Sequence, residues 1–254
     1  MKGFEHEDML QLGSRRVRVA TSGDGPALLL LNGIGAPVEI WQPLLPQLGH
    51  MRAIAFDAPG SGGTAAGSWP LTMRGHAQLA LDVLDALDCP RASVLGFSFG
   101  GLVAQELAFS AATRVERLVL ASTSYGWGSL PGSLPALLGL GSPDRYPSTP
   151  PVAHRDPIAD RRGRFFQAAT AVSWSSAWWL WQVRQPALVV TGDLDTVVPA
   201  VNSFLLAALL PAARLRVVRG GGHMCILEQA SELGPMLRDF LQPVRPRTGS
   251  HRVG

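Results

Sequence analysis

A chain of 254 residues, 46% of them hydrophobic and 16% charged, can bury one full core and suits a single domain with a modest insertion. The formal charge of +3 is carried by three arginines after Gln242 (Arg245, Arg247 and Arg252), so the body is close to neutral and offers no basic stripe for nucleic acid. Two cysteines, Cys89 and Cys225, read as reduced thiols; no apolar run reaches membrane-span length, and Met1–Leu12 is acidic without a signal-peptide core, so a cytoplasmic address is expected.

In chain order, Arg15–Ala20 reads as a strand and Ala27–Leu31 as a fully buried one. The loop Asn32-Gly33-Ile34-Gly35 follows, with glycines that let a backbone N–H turn inward. Ile40–Leu48 reads as a helix and Arg52–Phe56 as a strand. Asp57-Ala58-Pro59-Gly60-Ser61-Gly62-Gly63 lacks both the Lys-Ser/Thr ending of a phosphate loop and the spacing of a dinucleotide fingerprint, and reads as a tight turn. A helix is expected over Thr72–Leu87 and a strand over Ala92–Leu95. Then come Gly96-Phe97-Ser98-Phe99-Gly100-Gly101, a helix over Leu102–Ala112, and a strand over Leu118–Ala121.

Residues 123–184 break the alternation. They hold proline and glycine clusters, no convincing strand, and five of the seven tryptophans (Trp127, Trp174, Trp178, Trp179, Trp181), which predicts a loop-rich lid with an apolar underside. Substrate contact is assigned there to Trp127, Trp174 and Trp178. The alternation resumes with strand Ala187–Val190, helix Val201–Leu210, strand Arg214–Val218 and helix Glu228–Leu241. Continuous apolar strands between helices imply an α/β fold, a mostly parallel sheet covered on both faces. Its core spans 1–122 and 185–242, and 243–254 is expected to be a disordered basic tail.

The run around Ser98 has the setting of a nucleophile elbow: strand, sharp turn with serine at its apex, then helix. Gly-x-Ser-x-Gly arises by chance roughly 0.1 to 0.2 times in a Gly-rich chain of this length. Its weight therefore rests on the remainder of a site. A serine hydroxyl needs a base, itself oriented by a carboxylate, and sheet enzymes with this elbow place them in the order Ser, Asp or Glu, His. Of six histidines, only His223 follows a late strand, on the Gly220-Gly221-Gly222 turn before the last helix. Thr191-Gly192-Asp193-Leu194-Asp195, after the strand between them, offers two acids. Asp195 is preferred because it lies further into the loop, and Asp193 is assigned to shaping the turn. The strand before it ends in Ser122-Thr123-Ser124, with no carboxylate. Oxyanion donors are expected at the N–H groups of Phe99 and Ile34. No cluster has metal-ligand spacing, so neither metal nor cofactor is implied.

Together these features resemble the α/β-hydrolase superfamily over nearly the whole chain. Asn32-Gly33-Ile34-Gly35-Ala36, the run Ala55–Gly63, Ser142-Pro143-Asp144-Arg145-Tyr146 and the aromatic run Trp174–Trp181 are similar to the intracellular depolymerases of medium-chain-length polyhydroxyalkanoates. That resemblance implies an eight-stranded sheet with a lid after the sixth strand, a triad on Ser98, Asp195 and His223, and oxyanion donors at Ile34 and Phe99. It also implies an aliphatic hydroxyacid ester as substrate, in polymeric form on a polyester granule. The chain departs from the family at the elbow, where Phe97 and Phe99 stand in place of Val and Trp. A small-ester or lactone hydrolase, a tailoring thioesterase, and a non-catalytic small-molecule receptor on the same fold are the competing readings.

Overall fold

The computed structural model describes residues 3–139 and 157–242. Each apolar run named above forms a strand: β2 (Arg15–Ser22), β3 (Ala27–Leu31), β4 (Arg52–Phe56), β5 (Ala92–Phe97), β6 (Val115–Ala121), β7 (Ala187–Gly192) and β8 (Ala213–Val218). An eighth, β1 (His6–Leu12), precedes them. All join one sheet in the order β1-β2-β4-β3-β5-β6-β7-β8, in which β2 runs antiparallel to both neighbours and every other pair is parallel. β1 carries no pattern readable in the sequence because it is a largely exposed edge strand, His-Glu-Asp-Met-Leu-Gln-Leu, paired on one side only.

The strand period of two sends alternate side chains of β3 to opposite faces. Leu29 and Leu31 pack with α1 (Met73–Ala86) and α2 (Phe99–Ser110) in one core layer. Leu28 and Leu30 pack in the other, with Trp41 and with Leu233, Leu237 and Leu241 of the last helix. The helix expected over Ile40–Leu48 does not form. Pro43 and Pro46 remove two backbone donors, and the chain makes two 3-10 turns instead, Val38–Trp41 and Leu45–Gln47. Asp57, fully buried, closes the turn that begins with it: it accepts from Val38 N at 2.8 Å and Gly63 N at 2.7 Å, and pairs with Arg18. Burial pushes this carboxyl up to about 6, against the pull of the Gly63 N–H and the Arg18 charge.

The insertion between β6 and β7 is more helical than its composition suggests. It contains α3 (Leu134–Gly139) and the 16-residue α4 (Pro157–Val172). The expected matches at Ser142–Tyr146 and the tail 243–254 lie outside the described residues. Beyond β7 the fold closes with α5 (Ala200–Leu209), the single turn α6 (Cys225–Glu228) and α7 (Ala230–Leu241). Among the described residues, no helix is long and apolar enough to cross a membrane.

Candidate active site

Ser98 sits between β5 and α2 with φ 54° and ψ −116°, a conformation that non-glycine residues rarely adopt. Its backbone is held from two sides: Ser98 N donates to Ala121 O at 2.9 Å, and Thr123 Oγ1 donates to Ser98 O at 2.8 Å. The glycines around it are steric requirements. A Cβ on Gly96 would collide with the Gly100 carbonyl, and one on Gly100 with the Leu31 carbonyl. The elbow is thus packed, backbone against backbone, onto the end of β3, where the Asn32–Gly35 loop begins.

The loops after β7 and β8 approach each other just as closely. A Cβ on Gly192 would strike the Gly221 carbonyl, and Leu194 N donates to Gly221 O at 2.9 Å. This contact brings Asp195 to His223. Asp195 Oδ2 lies 2.8 Å from His223 Nδ1, and Asp195 Oδ1 accepts from Val197 N and Val198 N, both at 2.9 Å. With one oxygen fixed by two amides, the other is aimed at the imidazole. His223 Nε2 lies 3.1 Å from Ser98 Oγ, and its ring packs tilted against Phe97 at 5.1 Å between centroids. Both Asp195 and His223 are buried. Asp193, two residues earlier, is exposed, and its N–H only joins the turn through Val218 O.

A cavity of about 450 Å³ opens over Ser98, within the usual size range for small-molecule sites. Ile34, Phe99 and Leu102 line it from the core, Trp127, Leu130, Ala171 and Val172 from the insertion, and Val197 and Val198 from the loop that carries Asp195. Phe99 is the first residue of α2, where helix N–H groups have no partner within the helix and the dipole favours negative charge. Ile34 also lines the cavity, in the turn closed by Ala36 N donating to Gly33 O at 3.1 Å.

The three tryptophans assigned to substrate contact part company. Trp127 lines the cavity, whereas Trp174 and Trp178 do not. Trp174 is occupied in docking the insertion: its Nε1 donates to the buried Glu106 of α2 at 3.0 Å, and its ring meets Trp179 edge-on. Trp178 is 78% exposed on the outside of that same turn.

Three residues given no role in the sequence reading shape this site. Asn32 is buried under the loop that bears Ile34, donating to Ala36 O and Phe56 O and accepting from Trp41 Nε1. Asn202 holds the backbone of Leu130 at the cavity wall through both its amide atoms. Gln167, on α4, reaches Gly35. His76 flanks the site from α1, edge-on to Phe99 at 5.1 Å; burial, assisted by the Arg15 charge, lowers its pKa to about 4, so it stays neutral there. Among the described residues no group of side chains could hold a metal ion.

The chain resembles characterised proteins over nearly its full length. A poly(3-hydroxyalkanoate) depolymerase of Ectopseudomonas oleovorans is 32% identical to it, the alignment covering 95% of this chain and 94% of that protein. A 2-hydroxymuconate semialdehyde hydrolase of Pseudomonas sp. (strain CF600) is 28% identical, over 89% of this chain and 90% of the relative. Among solved structures, a hydrolase from Pseudomonas aeruginosa PA01 superposes with a TM-score of 0.79 at 29% identity, covering 94% of this chain and 99% of that one. The model of the alpha/beta hydrolase family matches residues 28–233. With its eight-stranded sheet and the site at the strand ends, the chain belongs to the alpha/beta hydrolase family.

Proposed function

We propose that this hydrolase cleaves carboxylic esters through an acyl-enzyme on Ser98, and that its substrates are aliphatic hydroxyacid esters of the poly(3-hydroxyalkanoate) type. The observation that carries the reading is the continuous chain from Ser98 Oγ to His223 Nε2, and from His223 Nδ1 to Asp195 Oδ2, at the floor of an apolar cavity. In this mechanism Ser98 Oγ bonds to the ester carbonyl carbon while His223 Nε2 takes the hydroxyl proton. The N–H groups of Ile34 and Phe99 bind the resulting oxyanion. Collapse of the tetrahedral intermediate breaks the ester C–O bond, and the leaving alkoxide takes the proton back from His223. Water then repeats the sequence on the acyl-enzyme and releases the acid. Asp195 holds Nδ1–H and stabilises the imidazolium that forms at each step.

The insertion would serve as the lid, contributing Trp127, Leu130, Ala171 and Val172 to an acyl site, over a core of residues 1–122 and 185–242. A wall this apolar suits an unbranched aliphatic chain better than a charged acid. The substrate class is supported further by the 32% identity with the Ectopseudomonas oleovorans depolymerase.

An activity profile tests the substrate class. p-Nitrophenyl alkanoates should be hydrolysed with kcat/KM rising from acetate to octanoate, and a medium-chain polyester emulsion should clear. Turnover of short esters or lactones, with no clearing at any enzyme concentration, would leave the small-ester reading and remove the polymer from the account.

A further inference from the structure

The insertion touches the catalytic end of the sheet at a point the mechanism above does not use. Gln167 of α4 is buried, and its side chain spans two core loops at once. Its Oε1 accepts from Gly35 N at 2.9 Å; its Nε2 donates to Pro59 O and to Ser61 Oγ, each at 3.1 Å. Close packing accompanies these bonds. A Cβ on Gly35 would run into the Arg164 side chain, and Gly163 meets Gly60 with no space for a Cβ on either. Helix α4 is therefore seated on the oxyanion loop and on the 57–63 turn together.

Gly35 follows Ile34 at the tip of the Gly33–Ala36 turn, at φ 66°. Asn32 fixes the base of that turn through Ala36 O, and Gln167 meets its tip. The same helix supplies Ala171 and Val172 to the cavity wall. One rigid element thus touches both the acyl site and the turn that presents Ile34.

We propose that Gln167 is a positioning residue for the oxyanion hole: by accepting from Gly35 N while anchored to Pro59 and Ser61, it makes the placement of the Ile34 N–H depend on the docking of α4. The proposal rests on Ile34 being an oxyanion donor. A donor acts only if it is already in place when charge develops, and small misplacements of such groups cost large factors in rate. Substrate in the ground state gains little from the same N–H, so the loss should fall on kcat and leave KM nearly unchanged.

Gln167→Met keeps the length of the side chain and removes both hydrogen-bonding ends. Ser61→Ala removes one anchor bond and leaves the bond to Gly35. With active sites counted by the extent of fluorophosphonate labelling, Q167M should lower kcat on p-nitrophenyl octanoate about tenfold with KM within twofold. Its affinity for a trifluoromethyl ketone, which forms a tetrahedral oxyanion adduct, should fall by the same factor. S61A, which leaves the bonds to Gly35 and Pro59 in place, should lose no more than Q167M. A Q167M kcat per labelled site within twofold of the parent would overturn the proposal. If Q167M does not fold, Gln167→Asn, which stays polar but is one methylene too short to reach Gly35, replaces it: a loss of about tenfold in kcat supports the role, and kcat within twofold of the parent overturns it. Ile34→Pro, which deletes the N–H itself, separates the two readings. Unchanged ketone affinity in I34P would remove Ile34 as a donor, whereas weakened binding in I34P with none in Q167M would remove Gln167 alone.

Discussion

Replacing Ser98 by alanine should lower kcat/KM for any ester substrate by about 10⁴- to 10⁶-fold, with the fold intact. Among the described residues, Ser98 Oγ is the hydroxyl placed against His223 Nε2, and the neighbouring Thr123 Oγ1 is turned to Ser98 O. Alanine also suits the space, because the elbow is kept in shape by the glycine contacts and by Ser98 backbone bonds that do not involve the hydroxyl. Melting temperature should therefore stay near the parental value, and the strained φ of 54° is present in both forms. His223→Ala should cost a similar factor, and the double variant little more than either single one, because nucleophile and base act as a unit. Steady-state kinetics on p-nitrophenyl octanoate, alongside thermal unfolding, checks all three. Retention of more than about one part in 10³ of the parental rate in S98A would contradict the mechanism.

Asp195→Asn should cost about 10⁴-fold in kcat while Asp193→Asn changes it by less than about twofold. The difference follows from how the Asp195 carboxylate is held. Its Oδ1 accepts from Val197 N and Val198 N, so an asparagine would keep its carbonyl oxygen there and turn its NH2 group toward His223 Nδ1. Nδ1 must then accept, which moves the ring proton to Nε2. A protonated Nε2 faces Ser98 as a donor and cannot take the hydroxyl proton. Asp193 is exposed and two residues from this geometry, so its amide should be tolerated. Equal losses in the two variants would show that the carboxylate has been misassigned.

Ser98, His223 and Asp195 are readable in the sequence because each is placed by backbone geometry that glycine and proline mark. Gly96 and Gly100 are dictated by contacts within a few residues or with the adjoining strand end. Val197, Val198 and Pro199 follow Asp195 into α5, and the Gly220–Gly222 turn sets His223 against the loop of Gly192. Parallel strands, buried on both faces, announce themselves as apolar runs. β1 does not, because an exposed edge needs no such run, and Ile40–Leu48 has helical spacing that its two prolines defeat. Gln167 leaves no trace at all: it meets Gly35 across 132 residues, and a glutamine inside a helix looks like any solvated one. The tryptophans show the opposite failure. Their clustering marks the insertion, but composition does not say which way a ring faces, and Trp174 is spent on Glu106 while Trp127 reaches the cavity.

A covalent trap tests the central claim, that Ser98 is a nucleophile activated by His223, more directly than any substrate. The protein would be incubated with a fluorophosphonate, and the modified residue located by mass spectrometry after proteolysis. One adduct per chain, on the peptide bearing Ser98, is expected; S98A should take up none, and His223→Ala should react far more slowly. An unmodified Ser98 in folded protein, or labelling of another serine at equal rate, would contradict the account and favour a receptor built on a hydrolase fold.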